Sequence, residues 1–380
     1  MVIGKSMKIV HVITGLNIGG AEVTMIKLIK QLHNENTHFV INLNKPGVLN
    51  RELNALNVEV FNLCINPVLP NPIKMLSLIS HLKKIQPDII QTWMVHADFI
   101  GGVAGKVIGV PVVWNLRHTK VNSSSKAYKT RLLVIVCALL SKIIPSLIIS
   151  NSKSGKQFHV EKGYSLEKIE VIPNGFDVDL FKPDVSSREK MRGELGIRSD
   201  ITVIGLIGRY NELKDHDNFI QAASLIDKKD KNIKYLLCGK DINLKNVELM
   251  KTISNSGLIK KFIILEQRND IPEIMNALDV LVSSSKSEGF PNTVGEAMSC
   301  GIPCVVTDVG DSAFLIEKAG IVVPAEDPES LAQGCINLLS MTSENKIKLK
   351  EYARERILEY FNIRDIALKY YSLYKRVVEN

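Results

Sequence analysis

The sequence predicts an α/β protein built from two Rossmann-like halves, on three observations. Short apolar strands rich in β-branched residues alternate with amphipathic helical stretches, the pattern of a parallel sheet covered on both faces. The pattern starts twice, at Lys8 to Thr14 and again at Ile201 to Gly208, each time as a strand, a glycine-containing turn and a helix. The 380 residues, 45% of them hydrophobic, suffice for two domains with separate cores and exclude a single small module.

The first strand is too short and too β-branched for a secretion signal, and glycines rather than a cleavage site follow it, so export is not expected. The turn Gly15 to Gly20 lacks the Gly-x-Gly-x-x-Gly dinucleotide fingerprint, and no NAD site is assigned. Its Gly19 and Gly20 still permit close backbone approach before a helix expected over Ala21 to His33. Leu132 to Ile149 is the one stretch apolar enough to suggest a membrane span. Lys142 and Pro145 interrupt it, and a buried helix followed by the strand Leu147-Ile148-Ile149 is expected instead. Between the halves, Pro173, Asn174-Gly175 and Asp177 cluster as a connector should. Asp177 and Asp179 there fit turn and cap duty better than Mg²⁺ binding. After the second start a helix is expected near Phe219 to Ile226. A last amphipathic helix is expected over Ile363 to Val378, with Tyr370, Tyr371 and Tyr374 close to one face.

The net charge of +8 is carried by the first half: residues 1–180 hold 20 Lys+Arg against 11 Asp+Glu, and residues 181–380 hold 28 against 29. Residues 101–150 contain seven basic residues and no acid. Such a patch is either a solvated basic face or a surface for an anionic membrane or acceptor. Nucleic acid is not expected, since no helix-turn-helix, aromatic platform or zinc-finger spacing accompanies the charge. The six cysteines (Cys64, Cys137, Cys238, Cys300, Cys304, Cys335) form no Cys-x-x-Cys pair, which predicts reduced thiols in a cytosolic protein and no structural zinc.

Ser287 to Ala297, with the sequence Ser-Glu-Gly-Phe-Pro-Asn-Thr-Val-Gly-Glu-Ala, carries the most chemical information. Gly289, Pro291 and Gly295 are expected to suppress regular structure around Asn292 and Thr293, so that main-chain N–H groups near a helix start face an anion. Glu288 and Glu296 flank them and accept hydrogen bonds from hydroxyls. A carboxylate does not usefully touch phosphate. Amides mixed with Glu therefore imply one ligand with anionic and polyol parts side by side, as in a nucleotide sugar. Read alone, the two Glu are as well explained as solvated side chains. Arg209, a planar fork, and Lys214, a point charge, follow the carboxyl end of the strand that opens the second half, where ligands of open α/β sheets bind, and can converge on a diphosphate. Leu265 to Pro272 ends a strand and starts a helix, with Asp270 read as its N-cap. In the first half His96 and His118 each follow an apolar strand, and Trp93 and Trp114 lie near them, fitting either core packing or an acceptor groove. His11, inside a strand, reads as core.

Glu288 and Glu296, seven residues apart with Gly-Phe-Pro after the first, resemble the signature of retaining glycosyltransferases of family 4, which have the GT-B fold. The Gly19-Gly20 turn followed by Ala21-Glu22, the connector, and Arg209 with Lys214 are similar to family elements in the same order, and the resemblance runs from about Lys8 to the end. It implies two Rossmann-like domains facing a central cleft: an N-terminal acceptor domain, residues 1–175, to which a C-terminal helix, 363–380, crosses back, and a C-terminal nucleotide-sugar donor domain, residues 176–362. By the same resemblance Arg209 and Lys214 neutralise the departing diphosphate, and Glu288 holds the sugar hydroxyls. His118 contacts the donor hexose and steadies the positive charge that develops on its ring. Donor contacts fall to Gly19, Gly20, Phe290, Pro291, Asn292, Thr293 and Val294, to Arg268 and Ile271 beside the base, and to Glu296 on the ribose. Trp93 and His96 are the acceptor candidates. No metal or other cofactor is implied, and the leaving phosphate itself takes the acceptor's proton. Tyr210-Asn211-Glu212, between Arg209 and Lys214, departs from the commoner family turn. The expected reaction moves a hexose or N-acetylhexosamine, with retention, from a nucleoside diphosphate sugar, UDP foremost, to a lipid-linked or polysaccharide acceptor in bacterial surface-glycan synthesis. A cytoplasmic location is expected, with peripheral contact to an anionic membrane through the N-terminal domain. Two other activities fit the same contacts: a GT-B nucleotide-sugar epimerase or hydrolase, and a non-catalytic nucleotide-sugar binding protein.

Overall fold

The structure, a computed structural model, describes residues 6–65, 71–117, 119 and 128–379. The chain divides into two compact units, Met1–Gly175 with Ile363–Asn380, and Phe176–Asn362.

In the first unit β1 (Lys8–Ile13), β2 (Thr37–Asn42), β3 (Glu59–Asn62), β4 (Ile89–Trp93), β5 (Val112–Leu116), β6 (Leu147–Ser150) and β7 (Ile169–Val171) form one parallel sheet in the order β3-β2-β1-β4-β5-β6-β7. Alternate residues of β1 enter different cores, Ile9 and Ile13 on one face and Val10 and Val12 on the other. That is why the strand is apolar at nearly every position instead of at every second one. Helix Gly20–Leu32 and the last helix, Ile363–Glu379, cover the Ile9 face. Helices Pro72–Ile85, Val95–Ile108 and Tyr128–Leu140 cover the Val10 face. The last helix is anchored by its tyrosines: Tyr374 Oη donates to Gln91 Oε1 at 3.0 Å, and Asn115 Nδ2 donates to Tyr370 Oη at 3.2 Å.

The stretch from Leu132 onward differs from expectation. β6 lies where a strand was expected, but the preceding helix is not buried. It buries Val134, Cys137 and Ala138 on the sheet, with Leu133 and Leu140 packed part-buried beside them, and leaves Leu132, Ile135 and Leu139 exposed. High mean apolarity does not distinguish a helix buried all round from one that packs along a single stripe. Among the described residues no helix is long and apolar enough to cross a membrane.

Asp98, in the first turn of helix Val95–Ile108, is completely buried. Its Oδ1 accepts from Thr92 Oγ1 at 2.5 Å and from the Asn115 N–H at 3.4 Å, while Oδ2 finds no partner among the described residues. Burial outweighs those two bonds and pushes its pKa up to about 8, so the carboxyl is protonated at neutral pH. A folded pKa above the unfolded value of 3.8 means that the folded state holds the proton more tightly. The stability this supplies is complete below the unfolded value and is lost as pH rises through the folded one, about 8. Thermal melts from pH 5 to pH 9 are expected to show a falling midpoint, and Asp98→Asn, which cannot ionise, to flatten that slope.

In the second unit β8 (Thr202–Ile207), β9 (Ile233–Cys238), β10 (Phe262–Leu265), β11 (Val280–Ser283), β12 (Cys304–Thr307) and β13 (Gly320–Val323) form a parallel sheet in the order β10-β9-β8-β11-β12-β13. Asp279 fixes the adjacency of β8 and β11. Its N–H donates to Val203 O at 2.8 Å and its Oδ2 accepts from the Val203 N–H at 2.7 Å. Arg188 and Arg192, from helix Val185–Glu194, complete the carboxylate at 2.6 and 3.3 Å. In the connector, Asp177 Oδ1 accepts from the N–H groups of Asp179 and Leu180 at 3.2 and 3.0 Å, so this carboxylate serves the turn. Cys64 is exposed and the other five cysteines are buried as free thiols.

Candidate functional site

Because every strand of the second sheet is parallel, the loops leaving their carboxyl ends share one edge. The strand order reverses between β8 and β11, which opens a crevice at that edge. The loops after these two strands meet there. Asn211 Oδ1 accepts from the Lys214 N–H at 3.0 Å and closes the short 3₁₀ turn Glu212–Lys214. Ser284 Oγ donates to the carbonyls of Lys214 and Asp215 at 2.9 Å each. Held at both ends, Lys214 lays its side chain over Gly208, and its Nζ reaches Glu288 Oε1 at 2.5 Å. Ser285 Oγ donates to the same oxygen at 2.6 Å. The side chains are only 24% (Lys214) and 13% (Glu288) exposed, so their attraction is less screened than that of a surface pair. Behind them the buried His216 imidazole is kept neutral at pH 7. Burial first, and the Lys214 charge second, push its pKa down to about 4. Arg209 leaves the same β8 loop exposed to solvent.

The Glu288 loop is pinned from the far side. Gly310 has φ +60°, and a Cβ there would lie 2.2 Å from the Glu288 carbonyl oxygen. The Asp311 N–H donates to Gly289 O at 3.0 Å. Three residues beyond Glu288, Pro291 takes the cap position of helix Asn292–Ser299 and offers no side-chain acceptor. The first-turn amides, Thr293 and Val294 among them, thus present the positive end of the helix at this edge. Glu296, half-buried, lies one turn further along.

Several expectations are corrected here. Gly295 does not loosen the loop: it is helical, and a Cβ there would fall 2.0 Å from the Phe176 ring, so its role is close packing. Phe290 turns its ring into the core against Phe176 and Phe361, at 6.2 and 5.5 Å between centroids, which leaves only its main chain near the site. Asp270 occupies the cap position of helix Ile271–Ala277 but makes no side-chain cap bond. Both of its oxygens accept from the Arg268 guanidinium, and a charged bidentate partner two residues away outcompetes a single amide. Ile271 is half-buried against the core.

In the first unit, Gly19 precedes helix Gly20–Leu32 in extended backbone, and the Glu22 carboxylate folds back to within 2.5 Å of where a Gly19 Cβ would be. Trp93 does not line a groove. It ends β4 on the face covered by the last helix, is completely buried, and its Nε1–H donates to His11 Nδ1 at 3.2 Å. His11 Nε2 in turn meets His38 Nδ1 at 3.0 Å. With Nδ1 of His11 accepting, its proton sits on Nε2. Burial lowers both pKa values, that of His38 to about 4. The Arg117 guanidinium lies 4.8 Å over the Trp93 ring and donates to Asn174 Oδ1 and Tyr370 Oη. His96, half-buried, is the second residue of helix Val95–Ile108, and burial lowers its pKa. His118 lies outside the described residues.

Ser284, Ser285, Gly310 and Arg117 were not singled out in the sequence as site residues, and Asn211 was noted only as part of a turn that departs from the family's. Only Asn211 carries a local signal, as an Asn three residues before the amide it caps.

Residues 18–180 match the family model described as Glycosyltransferase Family 4, and residues 201–341 the model described as Glycosyl transferases group 1. The chain thus carries two glycosyltransferase domains. Among relatives, the Escherichia coli UDP-Gal:alpha-D-GlcNAc-diphosphoundecaprenol alpha-1,3-galactosyltransferase is 28% identical over 387 residues, covering 98% of each chain. The Campylobacter jejuni N,N'-diacetylbacillosaminyl-diphospho-undecaprenol alpha-1,3-N-acetylgalactosaminyltransferase is 29% identical over 79% of this chain and 80% of its own. Among solved structures, Anabaena HepE in complex with UDP superposes with a TM-score of 0.85 at 22% identity, over 97% of this chain and 100% of that one. The two parallel-sheet domains have the GT-B fold.

Proposed function

We propose that the protein transfers a hexose or N-acetylhexosamine, with retention, from a UDP-sugar to a lipid-linked glycan acceptor at the cytosolic face of a membrane, without a metal ion. The observation that carries this reading is the Lys214–Glu288 pair at the strand-order reversal, followed at once by an uncapped helix start. It sets a cation and main-chain amides for a diphosphate beside a carboxylate for hydroxyls. In this reading Arg209, Lys214 and the first-turn amides stabilise the diphosphate as the anomeric C–O bond breaks. Glu288 orients the sugar through its hydroxyls and Glu296 holds the ribose. The steadying of the positive charge that develops on the ring is assigned to His118. The acceptor oxygen attacks on the face that the diphosphate leaves, and a leaving phosphate oxygen takes its proton. Support for the donor comes from HepE having been crystallised with UDP, and for the acceptor from the two relatives whose names specify diphosphoundecaprenol substrates.

The test is UDP release from a panel of UDP-sugars with and without a diphospholipid-linked sugar, with the anomeric configuration of the product read by NMR. Acceptor-dependent release with retention is expected. Release independent of acceptor indicates a hydrolase instead, conversion to an epimeric UDP-sugar without net release an epimerase, and binding with neither a non-catalytic protein. Glu296→Ala is expected to weaken UDP binding about tenfold or more, the worth of a charged hydrogen bond to a hydroxyl, in a calorimetric titration. Unchanged affinity removes the ribose assignment.

A further inference from the structure

We propose that the outer surface of three helices in the first unit docks on an anionic lipid bilayer, with helix Tyr128–Leu140 as the element that enters it. Helices Pro72–Ile85, Val95–Ile108 and Tyr128–Leu140 lie side by side in that order on the Val10 face of the sheet, so their outward sides form one surface. Along the third of them Tyr128, Leu132, Ile135 and Leu139, continued by Ile143 in the next turn, are each 53–69% exposed. Steps of four, three and four residues put the helical ones in a single line. Its inward stripe, Val134, Cys137 and Ala138, is already used against the sheet, so the helix is apolar on two opposite sides. Ile73, Leu76 and Val107 add exposed apolar side chains on the two neighbouring helices.

The charges say what this surface faces. The three helices carry Lys74, Lys83, Lys84, Lys106, Lys129 and Arg131, and Lys142 follows directly. Their only acid, Asp98, is buried. The three helices expose no carboxylate, and the nearby Glu167, beside Lys142, lies outside them. An apolar line among cations complements a layer of anionic headgroups over hydrocarbon: the cations pair with phosphates while the apolar side chains reach the acyl boundary. A second copy would bring the same cations into contact and be repelled. The docking face refines the proposed membrane-side location and would place the chain beside a lipid-linked acceptor, but binding to vesicles does not depend on that reading.

The test is sedimentation of the full chain with phosphatidylglycerol-containing and with pure phosphatidylcholine vesicles, at low and high salt. Binding to the anionic vesicles that collapses with salt is expected. The pair Lys129→Glu with Arg131→Glu is expected to weaken it about thirtyfold or more, and Leu132→Gln with Leu139→Gln about tenfold or more. All four side chains are on the outer surface, so melting temperature and UDP affinity serve as controls and should not move. Equal binding to neutral vesicles, no binding, or binding that neither pair reduces overturns the proposal. So does a dimer in vesicle-free solution that the leucine pair disperses. Transfer activity is a separate readout: vesicle binding without transfer sinks only the proposed function, and transfer to a short soluble acceptor without vesicle binding sinks only the docking surface.

Discussion

Glu288→Gln is expected to lower transfer by about 10²–10³-fold while leaving UDP affinity unchanged or tighter. The amide keeps the size of the side chain and an oxygen for the Ser285 hydroxyl, which now sits 2.6 Å from Glu288 Oε1, so the loop should hold. What disappears is the negative charge. For the sugar, the loss of a charged acceptor weakens the contact that orients the ring. For the diphosphate the sign is opposite, because Lys214 Nζ, at present 2.5 Å from the carboxylate, becomes available to phosphate oxygens without competition. Lys214→Ala is the converse: transfer falls by a similar factor, but UDP affinity falls with it, since the lost group is the cation. Steady-state rates with a UDP-sugar and calorimetric titration with UDP separate the two variants. If Glu288→Gln weakens UDP binding as much as Lys214→Ala does, the pair is a structural clamp and not a divided donor site.

That division was only half legible in the sequence. Lys214 and Glu288 were each picked out from local cues, a cation shortly after a strand and a carboxylate ahead of a Gly-Phe-Pro turn. Their contact spans 74 positions and follows from the adjacency of β8 and β11, which no short-range pattern records. Strand starts and the two-half plan were readable because periodicity and turn chemistry are local. Side-chain fate was not. Trp93 ends an apolar strand, and whether that end is core or groove depends on the Tyr370 and Tyr374 helix that returns to cover it. Asp270 met every local rule for a cap, yet Arg268 holds it. The Leu132 helix shows the same limit: its composition fixes how apolar it is, while its seating on the sheet decides which of those side chains remain exposed.

Gly310→Ala is expected to cost about 2–5 kcal/mol of stability, combining a left-handed backbone that a Cβ disfavours with an overpacked contact. For a unit of this size that lowers the melting temperature by about 5–15 °C. The contact is the larger difficulty, because the new Cβ would meet two main-chain carbonyls, Glu288 O at 2.2 Å and Gly289 O at 2.8 Å, and neither can rotate away as a side-chain tip could. The strand-following loop must therefore move, carrying the Glu288 carboxylate with it. A displacement of about 1 Å at a positioning group is worth roughly 10²-fold in rate, so transfer should fall by that order even where the protein remains folded. Asn at this position separates the two causes. It tolerates φ +60° far better than Ala but brings the same Cβ. Gly310→Asn is expected to recover little of the lost activity. Recovery of both melting temperature and rate in that variant would show that backbone conformation, and not the approach of residue 310 to Glu288, holds the carboxylate in place.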